Sequence, residues 1–184
     1  MNPALVEIPA RLAQRPRDSR GYPIPYSVLI DSSGRPDFRV ADAETWVRTV
    51  NLRICSLCAQ PLGKHLAFVG GPLTQVNRMF TDLPMHRDCA EYALKVCPFL
   101  AAPRFRYAET FSSKDADIAF AVNAHVSETR PEVFFMGITS KYEVVRLSPV
   151  TLVARAAPWT EVVWWREGTV VAAPSPPTAE DRAP

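Results

Sequence analysis

The sequence predicts an α+β protein of short helices and antiparallel strands, and three observations carry that prediction. The C-terminal half alternates β-branched and aromatic runs at 132–138, 142–147, 151–155, 161–165 and 169–171. Runs separated by about 8–12 residues, with turn residues between them, read as antiparallel strands. The stretch beginning at His86 instead places Ala90, Ala93, Leu94 and Cys97 at helical spacing, and Pro98 closes it by disfavouring helical geometry in the residue before it. Between these regions and the N-terminus lie two closely spaced pairs of metal-binding residue types, Cys55-x-x-Cys58 and His86-x-x-Cys89.

Taken in order, residues 1–20 hold Arg11, Arg15, Arg17 and Arg20 among prolines, with little apolar periodicity after Leu12, and read as a basic flexible arm. Two apolar runs at 26–30 and 37–40 flank an Asp-Ser-Ser-Gly turn and predict a hairpin. Asp42 is placed to cap a helix running to about Asn51, with Trp46, Val47 and Val50 on one face. The hairpin and helix make a segment 21–51, and a finger follows over 52–100. The apolar run 66–72, broken by Gly-Gly-Pro, predicts a second hairpin between the two Cys/His pairs. Residues 104–114 are polar and aromatic and read as a connector within a C-terminal β region over 101–172. The tail 173–184, rich in proline and charge, is expected to be disordered.

Composition narrows the function classes. The chain has 184 residues, 47% hydrophobic and 22% charged, which is ordinary globular usage and excludes disorder throughout. Eighteen prolines against seven glycines point to short elements joined by stiff connectors. The net charge of +2 is too small to argue for non-specific nucleic-acid binding, although residues 1–110 carry 14 basic and 10 acidic groups and the remainder 7 and 9. The basic excess therefore lies on the finger side. No apolar run is long enough to span a membrane and no secretory leader is legible, so a cytoplasmic location is expected. Thiols stay reduced there, which favours metal over disulfide for four cysteines that include a C-x-x-C.

A structural zinc ion takes four tetrahedral ligands, usually as two local pairs, each held by one turn. Cys55, Cys58, His86 and Cys89 meet that requirement. Cys55-Ser-Leu-Cys58, followed by Pro61 and Gly63, resembles a knuckle, and the second pair sits where a helix begins, where residues three apart share a face. Knuckle, hairpin and helix in that order make a treble clef. Cys97 lies eight residues beyond Cys89, ~12 Å along the same helix, too far to share an ion with it, and is expected to pack as a small apolar group. His65 competes with His86 but falls outside the two-pair geometry. A redox C-x-x-C would open a helix after a buried strand, and a deaminase would need H-x-E ahead of its cysteines; neither pattern occurs. With all four positions filled by protein, the zinc is structural rather than catalytic. A His-metal finger nuclease would need a further His or Asn on the helix after Cys89, which offers Glu91 but neither of these. Trp159, Trp164 and Trp165 are expected mainly in the core, since adjacent strand residues point to opposite faces. His125 stands alone and is expected to be structural or exposed.

The segments RPRDSRGYPIPYSV, CSLCAQPLGKHLAFVGGP with Asn77-Arg78, and PMHRDCAEYALKVCPFL resemble a family of small uncharacterised proteins from bacterial phages and prophages. The resemblance spans about residues 15–100, and the Val-Val-Trp-Trp-Arg-Glu-Gly run extends it loosely into the C-terminal strands. It implies an accessory protein with an intact pair of metal half-sites, in the cytoplasm of a bacterial host, and no particular activity.

The combined expectation is an α+β fold in which an N-terminal hairpin and helix and a treble-clef-like zinc finger pack with a C-terminal antiparallel β-sheet. The expected function is a zinc-stabilised binding module rather than an enzyme. Nucleic acid is the first partner, met by a shallow basic face of Arg15, Arg17, Arg20, Arg53, Lys64, Arg78 and Arg87. The alternative is a protein-interaction factor that modulates a host enzyme or defence protein, and the third reading is a relative of the His-metal finger nucleases.

Overall fold

The structure, a computed structural model, describes residues 5–101, 130–149 and 151–175. The connector expected at 104–114, His125 and residues 176–184 of the tail lie outside the described residues. The fold is α+β with antiparallel sheets.

The N-terminal hairpin forms as its turn chemistry requires. β1 (Val28–Ile30) pairs with β2 (Pro36–Ala41), and Asp31 organises the turn by accepting from the amides of Ser33 and Arg35. Asp42 then caps α2 (Ala43–Leu52), its carboxylate accepting from the Thr45 amide at 2.7 Å. Trp46 is the buried anchor of this helix, with its indole N–H donating to the Thr81 carbonyl. Val47, expected beside it, is 43% exposed, and Thr49 takes the inner position because its hydroxyl is satisfied by the Thr45 carbonyl one turn back.

The expected second hairpin does not form. β3 (Leu66–Gly70) pairs along its length with β5 (Phe134–Thr139), far away in sequence, and meets the chain ahead of the second Cys/His pair only at the bridge Ala67↔Met85. A short helix, α3 (Pro72–Asn77), replaces the tight turn, with Pro72 at its first position. β4 (Met79–Phe80) then leaves for another sheet, where it pairs with β7 (Thr151–Ala156). The finger-region strands are thus edge strands of the C-terminal sheets. One sheet has the order β3-β5-β8-β9, with β8 at Glu161–Arg166 and β9 at Thr169–Val171; the other is β4-β7-β6, with β6 at Tyr142–Ser148.

This interleaving explains why β5 is buried at every position. The four-stranded sheet carries a core on each side, and side chains alternate between them. Phe134, Met136 and Ile138 of β5 face one core with Ala67 and Trp165, whereas Phe135 faces the other with Leu66, Phe68 and Phe80. Trp164 and Trp165 point to opposite faces as expected, and both are packed. Gly137 lies under Trp159: a Cβ there would come within 2.6 Å of the indole ring, so only glycine lets the ring lie against the backbone.

The first core is roofed by α4 (Arg87–Val96), which contributes Cys89, Ala90, Tyr92, Leu94 and Val96. Pro98 ends α4 and opens the short α5 (Pro98–Ala101). Residues 5–20, expected as a solvated arm, are docked on this core. Their short helix α1 (Ala10–Ala13) buries Leu12 to 3% exposure, with Val6 and Ile8 beside it. Among the described residues, no helix is long and apolar enough to cross a membrane.

Candidate metal centre

Each half of the centre is shaped by backbone hydrogen bonds before any side chain takes part. Arg53 ends α2 in the left-handed conformation, and the chain doubles back at once: Leu62 N–H donates to the Arg53 carbonyl at 2.9 Å and Cys55 N–H to the Gln60 carbonyl at 2.8 Å. Ala59 takes φ 64° and its N–H donates to the Cys55 carbonyl. This tight loop holds Cys55 and Cys58 on one side. The other half is the start of α4, where His86 is the N-cap and Cys89 lies in the first turn.

Two sets of contacts clip the halves together. Ser56 donates its hydroxyl to the Leu83 carbonyl at 3.0 Å and its amide to Pro84 at 3.2 Å, and Ala67 and Met85 exchange backbone bonds at 2.9 Å. The side-chain atoms of Cys55, Cys58, His86 and Cys89 consequently all lie within 4.8 Å of one another. Thiolates on one zinc are ~3.8 Å apart when each sits ~2.3 Å from the ion in a tetrahedron, so the four groups need only a small contraction to share an ion. The three sulfurs are buried and His86 is partly exposed.

His86 is oriented by its second nitrogen. Its Nε2–H donates to the Pro61 carbonyl at 3.0 Å, which leaves the Nδ1 lone pair facing Cys58 Sγ at 3.4 Å. A backbone carbonyl holding the outer nitrogen is the usual device by which a ligating imidazole is fixed in one tautomer. The three thiols share their protons unevenly. Hydrogen bonds from Cys55 and Cys89 pull the Cys58 thiol far below its ordinary pKa, and the Gln60 amide adds to this. Donating those bonds, together with burial, holds Cys55 and Cys89 up. A cation among the three sulfurs would displace their protons. The four residues could hold a metal ion.

Cys97 and His65 both lie outside the cluster. Cys97 is the C-cap of α4, and burial pushes its thiol pKa up.

The seven basic residues of the expected nucleic-acid face do not share one role. Arg15 turns inward: its Nε donates to the Ile24 carbonyl at 3.0 Å, and its guanidinium stacks 5.5 Å from the Tyr26 ring centroid. Burial lowers its pKa, and the Cys58 thiol and Tyr26 oppose that. Since Tyr26 N–H donates to Leu57 O and Ser27 N–H to Ser56 O, this segment is strapped over the knuckle. Arg20 pairs with Asp18 and stacks on Tyr22 and Phe38. Arg87 pairs with Glu161 and Glu91. Arg78 is half-buried in the left-handed C-cap of α3. Arg17, Arg53 and Lys64 are exposed and form no ion pair among the described residues. Sequence reasoning missed the Pro61 carbonyl and the inward turn of Arg15, because the first is a backbone group and the second depends on a contact between segments.

Comparison with protein-family models, curated proteins and solved structures finds no match for this chain.

Proposed function

We propose that Cys55, Cys58, His86 and Cys89 bind one structural zinc ion in a treble-clef-like finger, and that the protein is a zinc-stabilised binding module, a phage or prophage accessory protein that contacts nucleic acid. The observation that carries the reading is the closed donor set: three buried sulfurs and an imidazole nitrogen held by the Pro61 carbonyl, with no position left for water or substrate. When bound, zinc supplies the cohesion that joins the knuckle to α4. Cys3His is a soft, tetrahedral set that suits zinc better than magnesium or calcium. The exposed cations Arg17, Arg53 and Lys64 favour nucleic acid as partner. A protein partner is the second reading, favoured by β6, an edge strand that exposes Val144 and Leu147.

Metal analysis of the purified chain is expected to find one zinc per molecule, absent from Cys58→Ser, with helix signal in circular dichroism falling in the variant. Zinc-free protein that keeps its full helix signal would refute the structural role.

A further inference from the structure

We infer that the nucleic-acid-binding surface lies at the corner where the end of α2, the entry to β3 and the β5–β6 turn converge, with Arg53, Lys64 and Lys141 as its cations. The inference rests on the nucleic-acid reading above and narrows it to one place, adding Lys141 and leaving out Arg15, Arg20 and Arg87, whose charges are spent within the fold, the half-buried Arg78, and Arg17, which lies on the N-terminal segment before β1.

Three connections bring the cations together. Leu62 N–H donates to the Arg53 carbonyl, so the end of α2 is bound to the chain two residues before Lys64. Leu66 pairs with Thr139, which puts Lys64-His65 and Ser140-Lys141 at the same end of the β3–β5 pair, where neighbouring strands are ~4.8 Å apart. Tyr142, next to Lys141, lies close enough to Arg53 for the guanidinium to act on its phenol, and its ring is anchored edge-on against Phe68 at 6.0 Å.

The corner is rigid and its charges are uncompensated. The Thr139 hydroxyl, buried to 1% exposure, faces the carbonyls of Pro158, Ala157 and Lys141 at 3.2 to 3.4 Å, and Ala157 N–H donates to the Lys141 carbonyl. Arg53, Lys64 and Lys141 are all exposed, and none forms an ion pair among the described residues. The nearest acid along β6, Glu143, is held by Arg155. Like charges gathered on a pinned corner contribute nothing favourable to folding, which suits them to an anion from outside. The three cations stand exposed on separate connections of the surface, which suits an extended polyanion rather than a small one. A phosphodiester backbone, with one charge per ~1.7 Å of duplex axis, meets that description.

The test is fluorescence anisotropy with a labelled mixed-sequence DNA duplex and the matching single strand, over a salt series, using the full zinc-loaded chain. Three phosphate contacts give a log–log salt slope of about −2.7 on duplex and a loss of roughly 40-fold in affinity between 50 and 200 mM salt. Lys64→Glu with Lys141→Glu is expected to abolish binding at the higher salt. Lys141→Ala alone is expected to reduce the slope by about 1. Arg20→Ala serves as control and leaves the slope unchanged, and circular dichroism checks that each variant is folded. Wild-type binding that survives the double reversal overturns the location but leaves the nucleic-acid reading standing. Absence of wild-type binding to either probe, or binding only to an acidic polypeptide such as polyglutamate, overturns both.

Discussion

At His86 the two ring nitrogens serve different masters, one held by Pro61 and the other turned to the thiols. Geometry, and not merely spacing, therefore places the ring where it could hold a metal ion with the three cysteines. Cys97 is the contrast, since it shares a helix with Cys89 yet lies outside the cluster. Cys97→Ala is expected to keep the full metal content, whereas Cys89→Ala loses it; inductively coupled plasma analysis of both variants checks the pair. Asp18 makes a second prediction at this scale. Burial works against its carboxylate, but the Arg20 side chain and the amides of Tyr22 and Arg20 outweigh this, and its pKa is lowered. A carboxylate depressed in the folded state stabilises fully above the ordinary aspartate value near ~3.9, and that contribution fades as pH falls through the folded value. The stability gap between wild type and Asp18→Asn, read by urea titration, should be open at neutral pH and close in acid.

Among the elements, α1 decides whether the N-terminus is an arm or part of the fold. Leu12 is 3% exposed within the core that also holds Cys55 and Cys89, and Arg11 pairs with Asp88 of α4 at 2.9 Å. Truncating a buried leucine typically costs ~2–5 kcal/mol, while a change on a solvated arm stays within ~0.5 kcal/mol. Leu12→Ala is expected to destabilise by about 2–3 kcal/mol in denaturant unfolding; a change below about 0.5 kcal/mol would return the segment to solvent. Most elements were legible in the sequence because their signals are local. Asp42 and Pro98 marked helix boundaries, and the alternating runs after residue 130 marked β5 to β9. The partner of β3 was not legible: Gly-Gly-Pro reads as a turn, but nothing near it in sequence says that β3 would pair with residues 134–139.

For the whole molecule, the metal centre and the sheet share one core. Cys55, Cys58 and Cys89 belong to the cluster that contains Met136 and Trp165, while Trp46, Trp159 and Trp164 pack on the opposite face. Removing the ion should loosen the first face before the second. Chelation is expected to shift tryptophan emission to the red, with most of the shift gone in Trp165→Phe. An unchanged emission after complete chelation would mean that the centre is decoupled from the core. Under the proposed zinc reading this coupling has a physical reason: the knuckle contributes few apolar side chains of its own, and one ion would join it to α4 and the sheet at once.

What the sequence by itself determined is what depends on neighbours along the chain. Two Cys/His pairs three residues apart, a capped helix and a period-two strand pattern are local facts, which is why the four clustered residues and the α+β class could be read before any coordinates. What only the tertiary structure decided is where distant segments meet. It folded residues 5–20 onto the core, gave the strands of the finger region to two different sheets, turned Arg15 toward the knuckle and brought Arg53, Lys64 and Lys141 to one corner. The physical reason is that pairing partners and charge neighbours are chosen by packing across many residues, and no spacing rule reaches that far.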